Sequence, residues 1–133
     1  MKTDGTAVEK QIYCGLRTHT DYNWMGSIVT LTLEEEGGSG SIICNVIPED
    51  GDTLASFRCT GSASRIKNFP ETSTEVSLTA DLADDVDSTT IFRCSVEVGP
   101  NSDGKTADTK LIYVQKIREF KVYHYISYFK ALQ

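Results

Sequence analysis

No apolar run in the sequence approaches the length of a membrane span. The first residues, MKTDGTAVEKQ, contain no apolar stretch of the kind a secretory leader carries. The glycosylation acceptor Asn-X-Ser/Thr does not occur. Missing too are a Walker loop, a dinucleotide fingerprint, H-E-x-x-H and G-x-S-x-G, which removes the usual signs of phosphate binding, zinc hydrolysis and nucleophilic serine chemistry. Histidine is limited to His19 and His124, and no two cysteines stand as C-x-x-C, so a zinc site is not expected. His19 has Asp21 nearby but no nucleophile pattern, and it reads as a solvated loop residue. Positive charge is in deficit, with 13 Lys and Arg against 19 Asp and Glu and a net charge of −6. Such a chain is a poor match for a nucleic-acid backbone or an anionic membrane surface. No segment before residue 115 has a helical period, which excludes a doubly wound α/β fold. No catalytic residue, metal site or cofactor is therefore expected.

What is present suits one domain of 133 residues, with 39% hydrophobic and 24% charged residues, large enough for a real core. Four cysteines, Cys14, Cys44, Cys59 and Cys94, are either a disulfide framework in an oxidising compartment or four buried thiols. Four cysteines allow three pairings, and the sequence does not choose among them. An extracellular protein needs a targeting segment, so on that reading the chain is a mature piece or an incomplete gene product.

The strand pattern centres on STTIFRCSVEV, residues 88–98, where Phe92, Cys94, Val96 and Val98 share one face. An acidic corner (Asp84, Asp85, Asp87) precedes it and the turn cluster GPNSDGK follows. The carboxylates of that corner lack the spacing of a calcium loop and read as solvated. Further strands are expected at Gln11 to Leu16, Ser27 to Leu33, Ser41 to Ile47, Thr53 to Thr60, Thr74 to Leu82 and Thr106 to Gln115. Ile42, Cys44 and Val46 share a face, as do Ala55, Phe57 and Cys59, and Val76, Leu78, Ala80 and Leu82. In the last strand either Leu111 and Tyr113 or Ile112 and Val114 point inward. A short edge strand could form around Ile66 and Phe69, limited by Pro70. Residues 1–11 are polar and read as a mobile terminus. Five to seven short strands with regular turns indicate an antiparallel β-sandwich.

The ordered set of Cys44, Phe57, the Leu78 and Leu82 strand, the aspartate corner, Phe92 and Cys94 resembles the immunoglobulin superfamily. The resemblance implies an all-β, antiparallel Greek-key β-sandwich over residues 27–115. Residues 1–26 would be an N-terminal segment or the remnant of a preceding domain, and residues 116–133 a basic, aromatic C-terminal extension. It also implies a Cys44–Cys94 disulfide between strands B and F, with Phe57 and Phe92 as core aromatics. Phe57 stands where the family has tryptophan, and Phe92 where it has the corner tyrosine. The short spacing resembles the C2 or I set, without the extra C′C″ hairpin of variable domains. Cys14 then pairs with Cys59, or is left from a preceding domain. A third possibility pairs Cys14 with Cys94 and puts Trp24 in the strand C role. The extension, residues 116–133, is a packed helix or strand, the start of a linker, or non-native sequence from an unspliced frame.

What the resemblance implies in function is an extracellular or cell-surface module, of the adhesion or immune-receptor type, binding another protein homophilically or heterophilically. Nucleic acid and direct membrane insertion are not expected. The alternative is a spacer domain without a ligand of its own. The possible binding loop is Pro100, Asn101, Ser102, Asp103 and Lys105, with the turn at residues 48–52 as a second loop. Trp24, Met25 and the tyrosines Tyr123, Tyr125 and Tyr128 are exposed apolar candidates for an interface.

Overall fold

Alternation of apolar and polar residues produces nine strands: β1 (Thr3–Val8), β2 (Gln11–Leu16), β3 (Ile28–Glu35), β4 (Gly40–Pro48), β5 (Leu54–Ala63), β6 (Ile66–Lys67), β7 (Ser77–Leu82), β8 (Ile91–Gly99) and β9 (Ala107–Gln115). The computed structural model describes residues 3–16, 28–49, 54–70, 73, 75–99 and 107–115. Among the described residues there is no helix. The strands form a closed barrel in the order β1-β2-β7-β6-β5-β4-β3-β8-β9. Every neighbouring pair is antiparallel except β1 and β9, which run parallel where the sheet closes. The fold is thus all-β, as the sequence predicts, but its sheet is mixed and has more strands than expected.

The ladder is thin at two places. β6 has two residues, and β5 reaches it only through Ala63 opposite Ile66. β9 meets β1 only at Ala7 with Val114 and Val8 with Gln115. Between these seams lie two broad runs of strands, β1-β2-β7 and β5-β4-β3-β8-β9. Their apolar faces point at each other. Val29, Leu31 and Leu33 of β3, Ile42 and Val46 of β4, and Phe92, Val96 and Val98 of β8 are buried from one side. Ile12 and Leu16 of β2, and Leu78, Ala80 and Leu82 of β7, are buried from the other. Phe92 is fully buried and is the largest of these side chains. Phe57 is only half-buried at the margin of the core, and Ala55 is exposed. A register shift after Ile47 displaces that end of β5 from the alternation read in the sequence.

All four cysteines are in disulfides, but the Cys44–Cys94 pair implied by the resemblance does not form. The bonds are Cys14–Cys94 and Cys44–Cys59. The reason lies in strand order. β3 sits between β4 and β8, with Leu31 opposite Cys44 and Leu33 opposite Cys94. Two strand spacings of about 4.8 Å separate β4 from β8, beyond the ~4.4–6.8 Å over which Cα atoms of a disulfide lie. Cys14 and Cys94 instead face each other across the interior from β2 and β8, with Cα atoms 5.6 Å apart. Cys44 and Cys59 are direct partners on adjacent strands, 3.9 Å apart at Cα.

Residues 3–8, expected to be mobile, form β1, and β2 lies beside β7 in the same sheet. The expected leading segment thus contributes two strands to the barrel that contains residues 28–115. Thr3, Gly5 and Ala7 face inward from β1. A Cβ on Gly5 would meet Ile112 Cδ1 at 2.6 Å and Cys94 Cβ at 3.5 Å, so only glycine lets β1 cross this close. Ile66 is buried and β6 is paired on both sides rather than lying at an edge. In β9 it is Ile112 and Val114 that point inward, leaving Leu111 and Tyr113 exposed. The 116–133 extension, and the Trp24 and Met25 positions, lie outside the described residues.

Two stability measurements follow from this packing. Removing Cys14–Cys94 by paired alanine substitution should cost about 4.5 kcal/mol, and removing Cys44–Cys59 about 3 kcal/mol, because the loops closed differ in length. Denaturant melts of the two double variants should show that order, and a reversed order would contradict the assigned pairing. Gly5→Ala should cost about 1–3 kcal/mol through overpacking on Ile112. Combining it with Ile112→Val, which removes the Cδ1 atom, should cost less than the sum of the single changes. Strict additivity would mean that β1 does not lie over Ile112.

Candidate recognition surface

The broad run β9-β8-β3-β4-β5 turns every second residue outward. Register aligns those residues in rows across the sheet. One row is Thr109, Ser95, Thr32, Ile43 and Thr60. The next holds Glu97, Thr30, Asn45 and Arg58, and the one beyond it Gly99, Ile28, Ile47 and Ser56. The Thr30 hydroxyl donates to Asn45 Oδ1 at 3.1 Å, and the Ser95 and Thr109 hydroxyls lie 3.2 Å apart in a further hydrogen bond. Short hydroxyl side chains bonded to one another keep the middle of the face low and free of net charge. Around it stand four exposed large apolar residues: Ile28 (45% exposed), Ile43 (36%), Leu111 (44%) and Tyr113 (58%). These are the exposed large hydrophobics among the described residues, and all four belong to this one face.

Charges are concentrated at the end of the barrel near the β3–β4 turn. Arg93 reaches Glu34 at 3.5 Å and also pairs with Glu36. Arg65 lies 3.5 Å from both Glu35 and Asp85, tying the β5–β6 turn to the acidic corner. Glu35 Oε1 is buried without a hydrogen bond, and the Arg65 guanidinium is the positive group set against it. Within the acidic corner, the Asp84 carboxylate is held below its ordinary pKa by a hydrogen bond from Lys10 and by the Lys10 and Lys67 charges. Asp87 Oδ1 accepts from the Thr89 backbone N–H at 2.8 Å and from its hydroxyl at 2.5 Å. These carboxylates are therefore engaged by neighbouring groups of the fold. Among the described residues no group of His, Cys, Asp and Glu is arranged to hold a metal ion.

At the opposite margin, Asp108, the second residue of β9, fastens β1. Its Oδ2 accepts from the Thr3 backbone N–H at 2.9 Å, and its carbonyl accepts from the Thr3 hydroxyl at 3.3 Å. Lys110 reaches Asp4 at 3.7 Å beside it. The hydrogen bond from Thr3 lowers the Asp108 pKa from its ordinary value of 3.8.

Of the residues identified in the sequence, Cys14, Cys44, Cys94 and Phe92 are buried in the core, and Cys59 and Phe57 lie half-buried at its margin. The possible binding loop Pro100, Asn101, Ser102, Asp103 and Lys105, and the middle of the 48–52 turn, lie outside the described residues. The outward rows escaped sequence reading because hydroxyl residues on a strand look like ordinary solvent-facing positions. One signal was available. SIICNVI places Ile43 and Ile47 on the polar side of a strand whose other side is already apolar. Compared with family models, curated proteins and solved structures, the chain shows no significant match. It is a disulfide-bonded, all-β protein with one sheet face that combines hydroxyl, apolar and a few charged side chains.

Because the folded pKa of Asp108 is lowered, its contribution to stability is present above the ordinary carboxylate range and is lost as pH falls through the folded value. Asp108→Asn should therefore melt below wild type at about pH 7, and the gap should close towards about pH 2. Thermal melts across that range check it. A gap that stays constant would show that the carboxylate charge has no part in holding β1.

Proposed function

We propose that the chain is an extracellular immunoglobulin-like recognition domain that binds another protein through the outer face of β9-β8-β3-β4-β5. The strand order supports the fold assignment. In the nine-strand, variable-type arrangement, one sheet holds A, B, E and D and the other holds C, F and G with the added C′C″ hairpin. Placing β1, β2, β7 and β6 as A, B, E and D, and β3, β4, β5, β8 and β9 as C, C′, C″, F and G, accounts for every strand and every neighbour. The two seams at β6 and β1/β9 then mark where two facing sheets meet. On this assignment Cys14 is the strand B cysteine, Cys94 is the strand F cysteine, and Cys44 belongs to C′. The extra hairpin replaces the C2- or I-set pattern implied by taking Cys44 as strand B. Trp24, ten positions after Cys14, becomes the candidate for the core tryptophan. Two disulfides are typical of proteins made in an oxidising compartment, which supports an extracellular or cell-surface setting.

The observation that carries the binding role is the gathering of Ile28, Ile43, Leu111 and Tyr113 on one face whose middle is uncharged. Exposed apolar residues that cluster on one face, with charge kept to the margins, mark interaction sites. Glu97 and Arg58 stand at opposite sides of the same row, so a partner must present complementary charge there.

A multivalent form of the domain should bind a panel of displayed extracellular proteins, this chain included. Ile43→Glu and Leu111→Glu should each reduce that binding at least about tenfold while the melting temperature stays within a few degrees. Binding unchanged in both variants would rule out the face. A wild-type domain that binds nothing in the panel would favour the spacer role instead.

A further inference from the structure

The two disulfides differ in surroundings, and the difference points to separate roles. Cys14 and Cys94 are both fully buried and join walls that are not neighbours in the sheet. Reaching that bond requires the two layers to part, which approaches global unfolding. Cys44–Cys59 joins two strands already held by their own ladder, from Gly40 with Ala63 to Pro48 with Leu54. Cys59 is only half-buried. Its strand faces the thin seam of the barrel. Ala63 is the one β5 residue paired with β6, and residues 54–62 have no strand partner on that side among the described residues. Half-buried Phe57 stands two positions away.

We propose that Cys44–Cys59 is a reducible switch in the folded domain, opened by a dithiol reductant of the thioredoxin class, while Cys14–Cys94 stays closed as the structural bond. A thiolate of the reductant attacks Cys59 Sγ, the half-buried sulfur of the pair. The Cys44–Cys59 bond breaks, Cys44 leaves as a thiolate and takes up a proton, and a mixed disulfide joins Cys59 to the reductant. The second thiol of the reductant then displaces Cys59, which is protonated in turn. Two electrons pass to the protein, and the reductant leaves as its disulfide. The fold survives because the closed loop is short and the β4–β5 ladder remains. What changes is the freedom of β5, which carries Arg58 and Thr60 at the side of the recognition face. This inference concerns bond chemistry and local motion, and it holds whether or not that face binds a partner.

The experiment treats the full-length folded protein with thioredoxin, its reductase and NADPH, without denaturant. Exposed thiols are alkylated over time and the peptides mapped. Trypsin separates all four cysteines, cutting after Lys10, Arg17, Arg58, Arg65, Arg93 and Lys105. Cys44 and Cys59 should be alkylated roughly tenfold or more faster than Cys14 and Cys94. Hydrogen exchange should then speed up in β5 and stay unchanged in β2 and β8. In Cys44→Ala/Cys59→Ala, which keeps Cys14–Cys94, β5 should exchange at the faster rate from the start and the reductant should have no further effect. The proposal is overturned if both disulfides resist, if both open at the same rate, or if reduction of Cys44–Cys59 unfolds the domain.

Discussion

A covalent bond between β2 and β8 holds together two layers that the hydrogen-bond ladder joins only weakly. Backbone pairing is continuous within each layer, but it crosses between them through a two-residue strand on one side and two paired positions on the other. Apolar burial between the layers provides most of the cohesion, and it has no direction of its own. Cys14–Cys94 fixes which residues of one layer face which residues of the other. Phe92, Leu31, Leu33, Ile12 and Leu78 pack inside the space it defines. β1 then lies over Cys94 and Ile112, where only the missing side chain of Gly5 leaves enough room.

From that constraint comes an asymmetry between the layers. The three-strand layer has the exposed Lys10–Asp84 pair at one end. The five-strand layer is wider and presents rows of threonine, serine and asparagine with isoleucine, leucine and tyrosine around them. Charges that would oppose a protein surface are paired off at one end, Arg93 with Glu34 and Glu36, and Arg65 with Glu35 and Asp85. A face of this kind can be desolvated with few unpaired charges left behind, which is the usual difficulty in protein association. The same layer carries the second disulfide, between β4 and β5.

Much of this was legible along the chain. Alternation identified the inward faces of β4, β7 and β8, because side chains on a strand change sides at every step. Gly and Asp clusters marked the turns. Other parts were misread for physical reasons. TDGTAV looks like a mobile terminus because its inward residues, Thr3, Gly5 and Ala7, are small. At Gly5 the close approach of β1 to Ile112 leaves no room for a side chain. LIYV in β9 is apolar in both phases, so alternation alone could not say that Ile112 and Val114 face in and that Leu111 and Tyr113 face out. Phe57 keeps its inward phase opposite Val46 but is only half-buried, because it lies on a strand paired along most of its length on one side only among the described residues, which alternation cannot show.

By itself the sequence determined the all-β class, the apolar faces of most strands, and the placing of Cys44 and Cys94 on inward faces. It could not determine which sulfurs meet. Alternation is a local property, read over a few residues, whereas a disulfide depends on strands far apart in the chain arriving opposite each other. Only the tertiary structure placed β3 between Cys44 and Cys94, which put that pair out of reach, and brought Cys14 across the core to Cys94, 80 positions away.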